Sequence, residues 1–312
     1  MRKGMHIRTR LTSLLLLLLT FITPALARDV RVHVLYSAQS DVFAQYLHDL
    51  RLQATPNIRI TAQAVSDPSL WTVPSETDLV IVAGGAALQS YALSERRVPV
   101  LAVLISRLAY EPIAQSLITN RIAHSAIYQD PPAARQLQLA RLLMPNARNA
   151  GFLYQAQDST ALTLAKSAAH ALEFDLQAES LNANEGLSNA LTRMLARSDF
   201  LLTSADSSIY NSTNIKLLLT AAYHADKVLI GTSPALVKAG SLATTYSSTM
   251  HIAHQSVDWL QKWPDAKGAL AAPTYPDYFD ISINTDVARS LNIAVPASDK
   301  LLEQLHDLER AP

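Results

Sequence analysis

The sequence predicts an α/β fold made of two doubly wound, Rossmann-like lobes with parallel sheets. Short apolar runs alternate with amphipathic stretches along the chain, and runs such as LVIVA at 79–83 are apolar throughout. Continuous β-branched runs of this kind are typical of strands that are covered on both faces. The alternation restarts after residue 132, which predicts two βαβ series in tandem.

The strands and helices of the first series are predicted to form the first lobe. Helix 41–52 has apolar positions at helical spacing, and two glycines, Gly84 and Gly85, follow the third strand. Strands are expected at 30–36, 58–64, 79–83 and 98–105, and helices at 41–52 and 87–93.

Residues 122–132 predict the first crossing between the lobes. An extended piece, IAHSAIY, runs into a turn at Asp130-Pro131-Pro132, and a helix follows. Prolines set backbone angles that favour turns and cannot continue a strand ladder. We interpret this segment as a link between lobes, which places Tyr128 near the cleft.

The second series and the tail predict the other lobe. Helices are expected at 135–143, 160–171, 186–196, 214–224 and 233–238, and strands at 150–154, 174–179, 200–203 and 227–231. After residue 242 come a strand, a long helix near 249–262, a strand at 280–284 and a helix at 285–291. We therefore expect a first lobe of 28–124 plus about 248–275, a second of 125–247 plus about 276–312, and a multi-strand hinge.

Residues 1–27 have the three parts of a secretory signal. Basic residues come first, an apolar run of about 12 residues follows, and Ala25-Leu26-Ala27 matches a small-x-small cleavage site. That run is shorter than the roughly 20 residues that cross a bilayer. We expect cleavage after Ala27 and a soluble periplasmic protein. The chain has no cysteine to carry a lipid anchor.

Composition disfavours several functional classes. Residues 1–27 hold four of the 26 basic residues and no acidic ones, which leaves 22 basic against 26 acidic residues, a net charge of about −4. A negative chain argues against a nucleic-acid surface or polybasic membrane binding. An exported chain with 0 cysteines must be stabilised by its core, which fits the periplasm.

The loops that follow the predicted strands are the candidate ligand site, because ligands of open α/β sheets bind beyond the carboxyl ends of the strands. These loops fall at 36–38, 84–87, 106–107, 128–130, 154–155, 204–208 and 232–234. They are rich in glycine, hydroxyls and tyrosine, which suits a small polar ligand. The candidate residues are Tyr36, Ser37, Gly84, Gly85, Ala86, Tyr128, Tyr154, Asp206, Ser207 and Ser233.

Each candidate keeps a structural alternative. Gly84-Gly85 could cradle an anion or form a tight turn, and Asp206 could accept a ligand ammonium group or cap a turn. The tyrosines could stack on a ligand or pack in the core. Arg107 could pair with a ligand carboxylate, but a surface arginine is the favoured interpretation.

Catalytic motifs are lacking in the sequence. It contains no G-x-S-x-G, no HExxH and no cysteine nucleophile. His251 and His254 are three residues apart on a predicted helix, without a further metal ligand placed beside them. We expect no catalytic residues, no metal and no cofactor.

Four stretches resemble the ABC transporter substrate-binding protein family. They are ARQLQLARLLMPNARNAGFLYQ, SDFLLTSADSSIYN, KVLIGTSPALVKAGSLATTYSS and YPDYFDISINTDVARSLNI. The similarity runs from about residue 30 to 295 and is strongest after 122. This family has the type I periplasmic binding protein fold, and some members bind aromatic or other amino acids.

The resemblance implies a first-lobe ligand loop at 84–87 and second-lobe loops at Asp206-Ser207 and Ser233-Pro234. The chain departs from the family near the expected cleft. Gly85 stands where the family often has threonine, Ser106-Arg107 where Ser-Asp is common, and IAHSAIY where a Thr-Gly pair is often seen.

The expected function is a monomeric periplasmic solute-binding protein that closes its lobes on a small polar ligand, such as an amino acid or aromatic acid, for an inner-membrane ABC permease. One alternative is a periplasmic ligand-sensing or accessory protein that signals to a membrane partner. Another is an exported α/β enzyme, which would need an acid-base pair in the cleft.

Overall fold

The computed structural model describes residues 29–38, 40–65, 67, 70–155, 159–181, 186–263 and 269–310. The predicted signal peptide at 1–27 lies outside the described residues.

The first lobe is built on a five-stranded parallel sheet in the order β2-β1-β3-β4-β5. Its strands are β1 (Val30–Ser37), β2 (Ile58–Val65), β3 (Leu79–Ala83), β4 (Val100–Ile105) and β5 (His124–Tyr128), and its helices are α1 (Asp41–Gln53), α2 (Gly85–Ala92) and α3 (Arg107–Thr119). Every residue of β3 and β4 is buried. Burial on both faces explains their uniformly apolar sequences.

The second lobe is built on a six-stranded sheet in the order β11-β10-β9-β8-β6-β7. Its strands are β6 (Asn149–Gln155), β7 (Asp175–Leu181), β8 (Phe200–Leu202), β9 (Val228–Ile230), β10 (Ala243–Tyr246) and β11 (Asp280–Ile283). The accompanying helices are α4 (Ala133–Leu143), α5 (Ser159–Ala171), α6 (Leu187–Leu195), α7 (Ile215–His224) and α8 (Pro234–Ala239). The edge strand β11 is antiparallel to β10, and the other pairs are parallel.

Helix α9 (Thr249–Lys262) returns the chain to the first lobe. It packs on α1 through two polar contacts, one buried and one partly buried: the Tyr46 hydroxyl donates to Ser256 Oγ at 2.9 Å, and the Thr249 hydroxyl donates to Asp49 at 2.6 Å. Beyond it, Thr274 bridges to Ile127 of β5. The chain then enters β11, α10 (Thr285–Ser290) and α11 (Ser298–Arg310) beside the second sheet.

Sheet membership locates the crossings between the lobes. Strand β5 pairs with β4 through Tyr128, so the first sheet continues four residues past the predicted boundary at 124/125. The first crossing therefore follows Tyr128, the second lies between β10 and α9, and the third lies between Thr274 and β11. The full extents of the two lobes stay a prediction.

Two helices have no counterpart in the sequence analysis, α3 and α11. Helix α3 contains Pro112 in its second turn, where proline normally disfavours a helix. The Ser106 hydroxyl caps its start by accepting from the Ala109 N–H. In the part of the chain that the structure describes, no helix combines the length and apolar character needed to cross a membrane.

Candidate functional site

A cavity of about 60 Å³ lies between the lobes, where the carboxyl ends of strands from both sheets meet. The first lobe and its crossings contribute Arg107, Leu108, Asp130 and Tyr275 to its wall. The second lobe contributes apolar and hydroxyl side chains, among them Phe152, Thr160, Ala161, Leu164, Thr203, Ser204 and Thr232. This is the position at which open α/β sheets bind ligands.

A β-bulge in β4 sets the position of the first-lobe wall. Leu104 has a φ of 52°, and the pairing with β5 shifts there between Val103 and Ile105. A bulky residue in the left-handed region is strained, and such residues cluster at functional sites. The bulge comes directly before Ser106 and Arg107, so it orients the chain as it enters the cavity wall.

Arg107, at the start of α3, contacts both Asp130 of the first crossing and Tyr275 of the third. The Arg107 backbone N–H donates to Asp130 Oδ1 at 2.8 Å, and Arg107 Nε donates to Glu111 at 2.6 Å. The Arg107 guanidinium lies 6.0 Å from the centre of the Tyr275 ring. Burial raises the pKa of Asp130 to about 6, although the N–H and the charge of Arg107 oppose this change.

The second-lobe wall combines an internally hydrogen-bonded polar cluster with an apolar surface. Gln136 is buried, and its side-chain oxygen accepts from the Thr245 N–H and hydroxyl, while its amide donates to Gly231 O and the Thr244 hydroxyl. The Thr203 hydroxyl donates to Ile230 O at 3.0 Å. Because these groups are bonded to one another, they fix the ends of β9 and β10. Phe152 and Leu164 provide an apolar surface beside them.

None of the ten predicted site residues lines this cavity. Tyr128 contacts one residue of the wall, since its ring packs edge-on against Tyr275 at 5.0 Å, and it packs against Tyr110 at 5.7 Å. It is 5% exposed and belongs to the core of the first lobe. Burial raises its pKa to about 12.

The first-lobe candidates lie at neighbouring strand ends. Tyr36 and Ser37 end β1 and are half-buried, while Ala86 is exposed in the first turn of α2. Gly84 has a φ of 89° and caps α2, and Gly85 begins that helix. Their place at the carboxyl edge of the sheet agrees with the predicted loops. Their role in binding stays a prediction.

The second-lobe candidates adopt the structural roles that the sequence left open. Asp206 is 8% exposed and accepts from both the N–H and the hydroxyl of Ser208, as a turn-capping residue does. The Ser233 hydroxyl caps α8 by accepting from the Leu236 N–H. Tyr154 is half-buried against the core, and Ser207 is exposed. Ligand binding by these four residues stays a prediction.

The loops that the sequence predicted after strands overlap the wall of this cavity, whereas the ten named side chains do not. Arg107, Asp130, Ser204 and Thr232 all fall in loops that were expected after strands. Tyr275 and Phe152 were missed. Phe152 lies inside β6 and Tyr275 in the third crossing, so only the packing of the two lobes brings them to one cavity.

The two histidines of α9 face different partners. His251 Nε2 lies 3.9 Å from Asp280, and His254 Nε2 lies 3.9 Å from Asp258. Burial lowers the pKa of His251. Among the described residues no group of three or more histidine, aspartate or glutamate side chains is placed to hold a metal ion.

Solved structures share this architecture. A ligand-free, open substrate-binding protein with adhesive properties from Clostridium difficile superposes with a TM-score of 0.65 at 14% identity, covering 86% of this chain and 97% of the other. An ABC domain in complex with L-Trp from Streptococcus pneumonia gives a TM-score of 0.57 at 18% identity, covering 88% and 98%. A conserved domain protein from Vibrio cholerae gives 0.57 at 16% identity, covering 88% and 98%.

These similarities establish the fold. The predicted architecture, two α/β lobes built on largely parallel sheets, is confirmed. No family model matches the sequence. No curated protein matches it.

Proposed function

We propose that this chain is a periplasmic solute-binding protein whose lobes close on a small ligand and present it to an inner-membrane ABC permease. One observation carries the proposal: the cavity is lined from both lobes, at the carboxyl ends of both sheets. A ligand held there touches both walls only when the lobes are together. Its binding energy therefore favours the closed arrangement.

The size of the cavity supports a moving cleft. At about 60 Å³ it holds a few water molecules, so an amino acid or aromatic acid enters only if the lobes separate. The lobes are joined by three crossings, a construction that permits hinge motion. The shared fold of a substrate-binding protein in an open, ligand-free form agrees with this mechanism.

A binding role explains the cavity better than catalysis. The described wall holds one carboxylate, Asp130, and one guanidinium, that of Arg107, whose backbone N–H donates to the carboxylate. The described wall lacks a nucleophile beside a general base, which acyl or phosphoryl transfer would require. Closing on a bound ligand is the simpler use of these residues.

Thermal unfolding tests the proposal. The protein would be heated with a panel of amino acids, aromatic acids, amines, purines and sugars. A ligand at 1,000 times its Kd stabilises the folded state by about 4 kcal/mol, which raises Tm by several degrees. A shift confined to one chemical class is expected. A folded protein that responds to no member of the panel would contradict the proposal.

Export is a separate part of the proposal. We infer that residues 1–27 direct secretion and are removed after Ala27. Fractionation of cells that express the full chain is expected to place it in the periplasm, with Arg28 as the first residue. Deletion of 2–27 would retain it in the cytoplasm. An intact N-terminus in the periplasmic protein would contradict cleavage.

A further inference from the structure

Negative charges outnumber positive charges around the cavity. Arg107 and Asp130 are the charged residues of its described wall, and Glu111 lies directly behind Arg107. The Arg107–Glu111 pair is partly exposed, with side-chain exposures of 30% and 33%, and the two charges offset each other. Among the described residues Asp130 forms no ion pair within 4 Å, although the charge of Arg107 acts on it.

Asp130 lines the cavity, and its carboxylate is a hydrogen-bond acceptor there. Its Oδ1 accepts the Arg107 backbone N–H, a neutral donor that cannot balance a full negative charge. The groups that face it are Arg107 and Glu111 from α3, Tyr128 from β5 and Tyr275 from the third crossing. Burial raises the pKa of this carboxyl to about 6, because the backbone N–H groups of Arg107 and Asp130 and the charge of Arg107 only partly offset the cost of burying its negative charge.

Charge balance distinguishes the possible ligands. A ligand amine would add a positive charge to one guanidinium and two carboxylates and bring the local sum to zero. A ligand carboxylate on Arg107 would instead place a third negative charge around a cation that Glu111 already pairs. The negative charge of the ligand would then be repelled by Glu111 and Asp130 in a partly buried site.

The second-lobe wall suits the rest of such a ligand. Phe152, Ala161 and Leu164 present an apolar surface, with the Ser204 and Thr232 side chains at its edge. No charged residue lines the cavity from this side among the described residues. Tyr275 adds an aromatic ring on the first-lobe side, and aromatic rings attract cations.

We propose that the cleft binds a ligand with a protonated amine, which Asp130 accepts, and an apolar body, which packs against Phe152 and Leu164. This inference rests on the proposed function and specifies its ligand. Asp130 discriminates between ligands by charge, and the second lobe discriminates by apolar surface. Arg107 keeps Asp130 in place through its backbone N–H and opposes the bound amine with its side chain.

A matched ligand series tests the chemical class. Phenethyl, indolylethyl and isoamyl bodies would each be offered as the primary amine, the carboxylic acid and the alcohol, with binding measured by calorimetry. For at least one body, the amine is expected to bind about tenfold or more tightly than its two partners. Equal or tighter binding of the acid or the alcohol would overturn the inference and leave the clamp function intact. The absence of binding by all nine compounds would overturn the inference, while the wider thermal panel decides the function separately.

Charge-matched variants test the residue. Asp130→Asn is expected to weaken binding of the best amine about tenfold, while Asp286→Asn, which removes an equal charge at an 87% exposed side chain, leaves it unchanged. Arg107→Gln is expected to strengthen amine binding several-fold by removing a repelling charge. A cooperative unfolding transition, measured without ligand, confirms that each variant is folded. Unchanged affinity in Asp130→Asn, or weaker amine binding in Arg107→Gln, would overturn the assignment.

Discussion

Gly84 has a backbone conformation that other residues adopt only with strain. Its φ is 89°, and a Cβ placed there would lie 2.6 Å from the Phe43 ring. Its neighbour Gly85 has space, since a Cβ there would meet Ile105 at an ordinary 3.6 Å. The first glycine is therefore required by the turn between β3 and α2, and the second is not.

We expect Gly84→Ala to lower the free energy of unfolding by about 1–3 kcal/mol, because the alanine must adopt the strained φ and displace Phe43. Gly85→Ala is the matched control and is expected to change stability by about 0.5 kcal/mol or less. Urea denaturation of both variants measures the difference. Equal stabilities would show that the turn tolerates a side chain.

Asp130 makes stability depend on pH in a defined window. Its pKa is raised from 3.8 to about 6, so the folded state holds a proton that the unfolded state has released. Its contribution to stability is fully present below pH 3.8 and is lost as the pH rises through about 6. The maximum slope is about 1.4 kcal/mol per pH unit.

Asp130→Asn removes this titration. The stability of the variant relative to the wild-type protein is therefore expected to increase between pH 4 and pH 7. Denaturation at half-unit pH steps, without ligand, measures the difference. A constant difference across the window would contradict the raised pKa.

The elements show where a sequence pattern succeeds and where it is incomplete. Strands β3 and β4 are predictable because their apolar runs reflect complete burial. Helix α3 is not, because Pro112 conflicts with helix formation and the packing of Tyr110 and Leu117 in the core outweighs it. The cavity wall begins at the first residue of this helix.

Arg135 connects three elements of the second lobe. Its side chain, 5% exposed, donates to Glu309 of α11 and to Pro276 O in the third crossing, and its guanidinium lies 3.9 Å from the Phe279 ring centre. Glu309 is 28% exposed, so water partly compensates it when the pair is broken.

We expect Arg135→Met to lower the free energy of unfolding by about 1–3 kcal/mol. The control Arg289→Met breaks an ion pair whose side chains are 77% and 87% exposed and is expected to cost about 0.5 kcal/mol or less. Thermal denaturation compares them. Similar losses would mean that the contacts of Arg135 add nothing beyond a surface charge.

At the scale of the whole molecule, the crossings are connected to one another. The Ser247 hydroxyl donates to Tyr278 O at 2.7 Å, which joins the second crossing to the third. The Asp277 N–H donates to Gln255 of α9 at 2.7 Å. The proposed closure of the lobes would therefore involve a coordinated change in these segments.

The chain has 0 cysteines, so paired cysteine substitutions can carry fluorescent labels without interference. His48 on α1 and Lys216 on α7 are exposed and lie on different lobes. A ligand that raises Tm is expected to shorten the distance between labels at 48 and 216, because it favours the closed state.

Labels at 216 and 286 provide the control, because both positions are exposed in the second lobe. Their separation is expected to remain constant. Single-molecule fluorescence energy transfer between the two labels on one chain measures both distances. A ligand that binds without changing the distance between 48 and 216 would contradict lobe closure.

The sequence by itself determined the fold class, the two βαβ series, most strand positions and the loops at the strand ends. These features follow from local patterns of burial and turn chemistry, which each segment carries in its own residues. The sequence does not identify which side chains bind the ligand, because glycine, serine and tyrosine at a strand end serve packing and capping equally well. Tyr128, Asp206 and Ser233 show this ambiguity.

Only the tertiary structure decided which residues share the cavity. Tyr275 and Arg107 are far apart in sequence, and they meet because Thr274 bridges to β5 beside the start of α3. Phe152 comes from the opposite lobe and reaches the same space through the packing of two sheets. A site formed by long-range contacts cannot be predicted from local periodicity, because its residues are brought together by the course of the chain and not by their spacing in the sequence.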